Sequence, residues 1–527
     1  MGSAKQTKAA LSSLNAWSDE QVYTRGMPAA GLDALQRLDL WHVNAHEHTA
    51  PVFFRRDGIG NMGVVISKPG LYVFESDVGA RLDDPRGAAI AVTCSGVVID
   101  LNGFSLTYEA SGIVRKRDTF KTTDRFDARL PNACTGIAVA AGCADVFIAN
   151  GTVEGFGLYG VGAVDAARVS VYNIHVVNSC CVHDALSCAG ILVHGCPESS
   201  VRNCTVSNAH VQCVAYMGIC ARLCTAFTVT SSSVRNIRNE AGGTTAVALL
   251  GCYGAFVSTC VLENVSTGAL LTLKTPGHTC SGVLVTLCDS VTVAACRASG
   301  IHGSIDDAHG IAIFVCASDV LVRGCVIRDV TSGFTPIHTG AKATGVEVIG
   351  AIGAIVEDCM VLHVQAAQPQ DKQCAAFSSG SCRDVTFQRC IGSYVRCLTD
   401  ERSLAYVSAG AGASAGAGAS AGAGASAGIG FGWAPDPRPT FVKPSLYTTY
   451  VQCHATDCDI GFDMFMGIGA TLDHCSVRNV GIVFSDEPLE VRTLTCDEAT
   501  ECVPSLSTDV RNVGHDNVSL TPLTVYR

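Results

Sequence analysis

Two adjacent carboxylates and a histidine, Asp306-Asp307-Ala308-His309-Gly310-Ile311, stand where a long loop gives way to a strand-like run. Paired carboxylates can act as general acid and base on a glycosidic bond, and inversion needs them about 6.5–9.5 Å apart. Aligning the chain on Gly282, Gly310 and Gly345 sets His278 beside Asp306, and Thr279 beside Asp307 and then Lys342. A cationic neighbour would hold one of these carboxylates ionised. The candidate catalytic set is therefore Asp306, Asp307, His309, His278 and Lys342; the competing reading is a hydrogen-bonded loop cluster. His183-Asp184, His210, His302, His338 and His363 lie in other variable loops. None has the i, i+4 spacing or the Cys-x-x-Cys pattern of a zinc site, nor do Cys453 with Cys458 or Cys180-Cys181, so no metal site is assigned.

The alignment rests on an internal repeat. Its unit reads Gly-apolar-x-apolar-x-x-Cys, two residues, then apolar-x-apolar-x-x-Cys-x-apolar. Clear copies begin at Gly190, Gly218, Gly282 and Gly310, and weaker ones at Gly136, Gly160, Ala246, Gly345, Ala376 and Gly461. One column holds Cys143, Cys196, Cys224, Cys252, Cys288, Cys316 and Cys382; the other holds Cys204, Cys260, Cys296, Cys325, Cys359, Cys390, Cys453 and Cys475. Short runs such as Val320-Leu321-Val322 and Ile311-Ala312-Ile313 alternate with period two, which predicts strands. Three short strands, two tight turns and a variable loop fill one rung. Stacked rungs bring like side chains within the strand spacing of about 4.8 Å, and small buried Cys suits such a ladder.

Val97-Val98-Ile99-Asp100-Leu101-Asn102-Gly103-Phe104-Ser105-Leu106, with Lys68-Pro69-Gly70-Leu71-Tyr72-Val73 upstream, resembles the opening rung of the pectin-lyase-like superfamily. The resemblance covers roughly residues 60 to 485. It implies an all-β fold, a right-handed single-stranded parallel β-helix, as a solenoid of about 11–12 rungs. It also implies that function sits on the first strand of each rung and the loop before it. Asp306-Asp307 and His309-Gly310 resemble, in compressed form, the paired-Asp and His-Gly elements of polygalacturonase-like hydrolases. In those enzymes the two elements belong to different rungs, and an Arg-x-Lys element follows; here they share a rung and no such element follows. Calcium held by loop carboxylates, as in pectate-lyase relatives, is the one cofactor left open; no other cofactor is expected.

On the first strand the alternation points Ala138, Leu192, Cys220, Ala248, Leu284, Ala312, Glu347 and Asp463 outward, followed by His194, Arg222, Leu250, Thr286, Phe314, Ile349 and Phe465. This predicts an apolar stripe, covered by loops or by another subunit. Leu32, Leu35, Leu38 and Trp41 have helical spacing between Pro28 and Val43, which predicts a short capping helix over the first rung. The expected organisation is an N-terminal extension and cap (1–50), the β-helix (51–396), a Gly/Ala/Ser-rich insertion (397–446), the last rungs (447–485) and a C-terminal tail or cap (486–527). The insertion carries three copies of Ala-Gly-Ala-Gly-Ala-Ser and reads as a flexible surface loop.

Composition excludes several classes. With 48% apolar and 16% charged residues the 527-residue chain is no disordered polymer. No run of 18 apolar residues is present, so no membrane helix is expected. A net charge of −11 makes nucleic acid a poor partner. The Met1-Gly2-Ser3-Ala4-Lys5-Gln6 start has no apolar signal region, so the 28 cysteines are expected as thiols in a chain made in the cytoplasm. Two functions remain. The first is a structural or adhesive rod that meets itself, another structural protein or a polysaccharide through its strand face, in the style of a large-DNA-virus particle component. The second is a polysaccharide hydrolase or lyase using the loop carboxylates.

Overall fold

The computed structural model describes residues 51–55, 59–84, 86–109, 134–268, 279–304, 307–333, 342–367, 374–398, 428–432, 445–458, 460–462, 467–468, 471–478, 482–484, 490–491 and 494–497. The proposed capping helix and most of the Gly/Ala/Ser-rich insertion lie outside these residues. Every strand pairing among them is parallel, and each strand pairs with its counterpart one turn of chain later. A representative rung runs Gly243–Leu250, Phe256–Ser258 and Val261–Thr267, and the next runs Thr279–Thr286, Val291–Ala294 and Arg297–Gly303. The three strands of the first pair with the three strands of the second. This is a parallel β-helix. One sheet, here the front sheet, collects the Gly-apolar strands from Val64–Ile66 to Ile482–Phe484. Its run includes Gly428–Gly432, inside the segment read as an insertion, and Leu494–Asp497 of the tail adds a strand to the other face of the coil.

The motif is explained by what its residues touch. Val283, Ile311 and Val346 are stacked in register and fully buried, as are Val285, Ile313 and Val348. Each such side chain contributes about 1.5–3 kcal/mol by leaving water. The glycine column exists because the coil is narrow there. A Cβ on Gly345 would lie 2.2 Å from Val361 Cγ1, and one on Gly310 would lie 2.3 Å from Ile327 Cγ2. The cysteines of both columns are buried. Many donate to a carbonyl one rung back, as Cys325 Sγ does to Val293 O at 3.7 Å and Cys390 Sγ to Val356 O at 3.4 Å. Burial pushes the Cys204 thiol up to about 12. A thiol fills a small site and still satisfies a main-chain acceptor, which an alanine would not.

Turns are fixed by a second stack, of asparagines. Asn208, Asn236 and Asn264 all have positive φ, near 55°. Asn236 Nδ2 donates to Asn208 Oδ1 at 3.2 Å, and Asn264 Nδ2 donates to Asn236 Oδ1 at 2.9 Å. Asn tolerates the left-handed region better than other side chains, and its amide links each corner to the next.

Candidate functional site

Three of the five sequence-derived candidates come together. Asp307–Phe314 pairs with Thr279–Thr286 on one side and its later part pairs with Ala343–Ile349 on the other. Thr279 therefore stands beside Asp307, and Ser281, His309 and Thr344 form one outward row. Lys342 immediately precedes its strand. Its backbone N–H donates to Asp307 Oδ1 at 2.9 Å, while Ala308 N–H donates to the Lys342 carbonyl at 2.9 Å. Asp306 and His278 lie outside the described residues.

The Lys342 ammonium donates to Glu347 Oε1 at 2.5 Å. Glu347 is fully buried and Lys342 nearly so, with side-chain exposures of 0% and 8%. Burying a carboxylate without a partner is far costlier than leaving the half-exposed Asp307 to a backbone donor, so the cation goes to the deeper acid. Glu347 Oε2 also lies 3.0 Å from His309 Nδ1, and the His309 ring meets Phe314 edge-on at 5.7 Å. His309 is fully buried. Desolvation lowers its pKa from the ordinary 6.5, the Glu347 charge opposes this, and Lys342 adds to it. The group is therefore a neutral imidazole beside a Lys–Glu pair. Glu347 was missed as a site residue although the outward alternation had marked it. Nothing in the spacing shows that a lysine five residues earlier folds back onto it.

Around this pair several buried polar atoms make no hydrogen bond among the described residues, His309 Nε2 and the hydroxyls of Ser281, Thr344 and Ser378 included. Ser378 follows Glu347 in the next outward row, which runs Leu192, Cys220, Ala248, Leu284, Ala312, Glu347, Ser378. The outer face of the front sheet thus gains polar side chains in later rungs, Ser281, His309 and Thr344 in one row and Glu347 and Ser378 in the other, beside apolar Leu284, Ala312 and Phe314.

The apolar part of this face is not an exposed stripe. Leu192, Cys220, Ala248 and Ala312 are buried, and Ala189, Leu192, Cys220 and Ala248 form an apolar cluster of their own with Tyr159, Met217 and Leu250 packed against it. Outer side chains of successive rungs cover one another here, where the alternation predicts cover from loops or another subunit. A cleft of about 410 Å³ opens over this cluster. Tyr159, Leu192, Met217 and Leu284 give it an apolar floor; His194, Arg222, Ser187, Thr245 and Thr279 supply polar groups. Arg222 is exposed and has no carboxylate partner among the described residues. The polar cluster adjoins one end of the cleft, because its lining residues Thr279 and Leu284 are in register with Asp307 and Ala312.

The remaining histidines are dispersed. His210 meets Glu240 at 3.0 Å, His302 meets Thr331 at 2.8 Å, and His363 meets Asp329 at 3.4 Å. Among the described residues no three His, Cys, Asp or Glu side chains are arranged to hold a metal ion. No helix among them is long and apolar enough to cross a membrane.

Comparison with known proteins agrees with the architecture. The family model described as a right-handed beta helix region matches residues 189–391. The chain has a right-handed parallel β-helix fold. Among solved structures it is similar to DFA-IIIase from Arthrobacter chlorophenolicus A6 in complex with GF2, at 14% identity, covering 70% of this chain and 92% of that one, with a TM-score of 0.42. It is similar to a mutant tailspike protein of E. coli bacteriophage HK620 in complex with a pentasaccharide, at 11% identity, 82% and 72% coverage and a TM-score of 0.39. A third is the catalytic domain of a GH87 alpha-1,3-glucanase in complex with nigerose, at 10% identity, 84% and 63% coverage and a TM-score of 0.36. No curated protein matches the sequence.

Proposed function

We propose that this chain is a saccharide-binding β-helix rod whose ligand lies in the cleft on the outer face of the front sheet. The observation that carries this reading is the make-up of that cleft: an apolar floor that includes the Tyr159 ring, edged by hydroxyls, a histidine and Arg222, which has no carboxylate partner among the described residues. A sugar ring has the complementary surface. Its C–H face packs on Tyr159, Met217 and Leu284, and its hydroxyls meet Arg222, His194, Thr245 and Thr279. A net charge of −11 favours a neutral saccharide over a polyanion.

The test is titration of neutral and acidic oligosaccharides against the wild type, Arg222→Ala and Tyr159→Ala. Binding by the wild type that weakens at least tenfold in both variants supports the proposal, and equal binding by all three sinks it.

A second reading, glycan cleavage, is favoured by one observation. Asp307 is half-exposed at the end of the cleft, in register with a lining residue. Glu347 makes a poor second acid, because it is fully buried against Lys342 and no substrate oxygen can approach it. Product release from a polysaccharide that is abolished in Asp307→Asn would establish cleavage.

A further inference from the structure

Three thiols meet beneath the wall of the cleft. Cys188 Sγ donates to Cys181 Sγ at 2.8 Å, and Cys213 shares hydrogen bonds with both. All three are fully buried. The column cysteines also meet one another along their ladders, as Cys296 meets Cys260 and Cys325, but the Cys188 and Cys181 sulfurs stand well inside ordinary contact distance. The strand around Cys188 is also irregular. Pairing of Val182–His194 with Thr205–Arg222 slips between His183 and Ser187. Ser187 is exposed and lines the cleft with Ala215 and Tyr216, so the thiols lie directly behind cleft-lining backbone.

We propose that Cys181 and Cys188 are a disulfide-forming pair that staples this irregular corner of the cleft wall, with Cys213 as the alternative partner of either sulfur. A disulfide bond is about 2.05 Å long, so closing it asks the two sulfurs to move by less than an ångström. With a peroxide as oxidant the step balances. One thiolate attacks a peroxide oxygen, the O–O bond breaks, and a sulfenic acid and hydroxide form. The second thiolate attacks the sulfenic sulfur, making the S–S bond and expelling a second hydroxide. The two protons lost by the thiols complete two waters. Mutual contact and burial hold the Cys188 thiol well above its ordinary range, and Cys213 is raised in the same way. Thiolate is scarce at neutral pH, and closure is slow there and faster in alkali.

The experiment is stepwise oxidation of the reduced full chain with hydrogen peroxide at about pH 7 and about pH 9, followed by alkylation and non-reducing peptide mapping. The expected result is a Cys181–Cys188 cross-link that appears before any link among the column cysteines and forms faster at the higher pH. Cys188→Ala is expected to divert the link to Cys181–Cys213. Should that variant fail to fold, the wild-type map decides alone. Recovery of Cys181 and Cys188 as alkylated thiols while column cysteines have oxidised would overturn the proposal, as would sulfinic acid at Cys188 with no cross-link. Neither result bears on saccharide binding.

Discussion

Glu347 can be fully buried because Lys342 and His309 stand against it, and each of the three depends on the others. Lys342→Met leaves a buried carboxylate without its cation, which costs about 3–5 kcal/mol. We expect this as faster amide exchange in the Ala343–Ile349 strand, largely restored in Lys342→Met/Glu347→Gln; a single variant with unchanged exchange would refute the pairing. His309 supplies a pH dependence. Its pKa is lower in the folded protein than the ordinary 6.5, so the unfolded chain binds the proton more readily. The contribution is fully present above 6.5 and is lost as pH falls below that value toward the folded pKa. The melting temperature should therefore drop between about pH 7 and about pH 5, and His309→Asn should flatten that drop. Identical slopes for the two proteins would show that folding leaves the His309 pKa unchanged. At this scale the sequence was half legible. Asp307, His309 and Lys342 were found by register, but which acid the lysine serves depends on depth, and depth is not written in spacing.

Register itself is a property of the strands, and there the sequence was nearly transparent. The column of glycines marks where the coil wall touches the opposite strand, and the spacing of cysteines marks the turns between strands. Both recur because each rung repeats the same narrow cross-section. Gly345→Ala should lower the melting temperature by several degrees, since its Cβ would sit 2.2 Å from Val361 Cγ1. Adding Val361→Ala should return part of the loss. Full stability of Gly345→Ala on its own would mean that the glycine column has another cause. The asparagine stack at Asn208, Asn236 and Asn264 escaped notice because an Asn in a turn is ordinary by itself. Its meaning lies in the side-chain bond to the next rung. What covers the apolar stripe was hidden for a related reason. Alternation says which way a side chain points, while cover depends on what neighbouring rungs and loops place over it.

A coil of parallel strands has only its faces to offer, and on the outer face of the front sheet a cleft sets an apolar floor beside Arg222, His194 and accessible hydroxyls. That combination is the feature which a hydroxylated ring, apolar on its faces and polar at its rim, would match. The most direct test is calorimetric titration of the full chain with a panel of neutral oligosaccharides, repeated with Arg222→Ala. The account predicts saturable binding of at least one neutral oligosaccharide, weakened tenfold or more by the substitution. A correctly folded protein that binds none of them, or binds as tightly without the arginine, would contradict it.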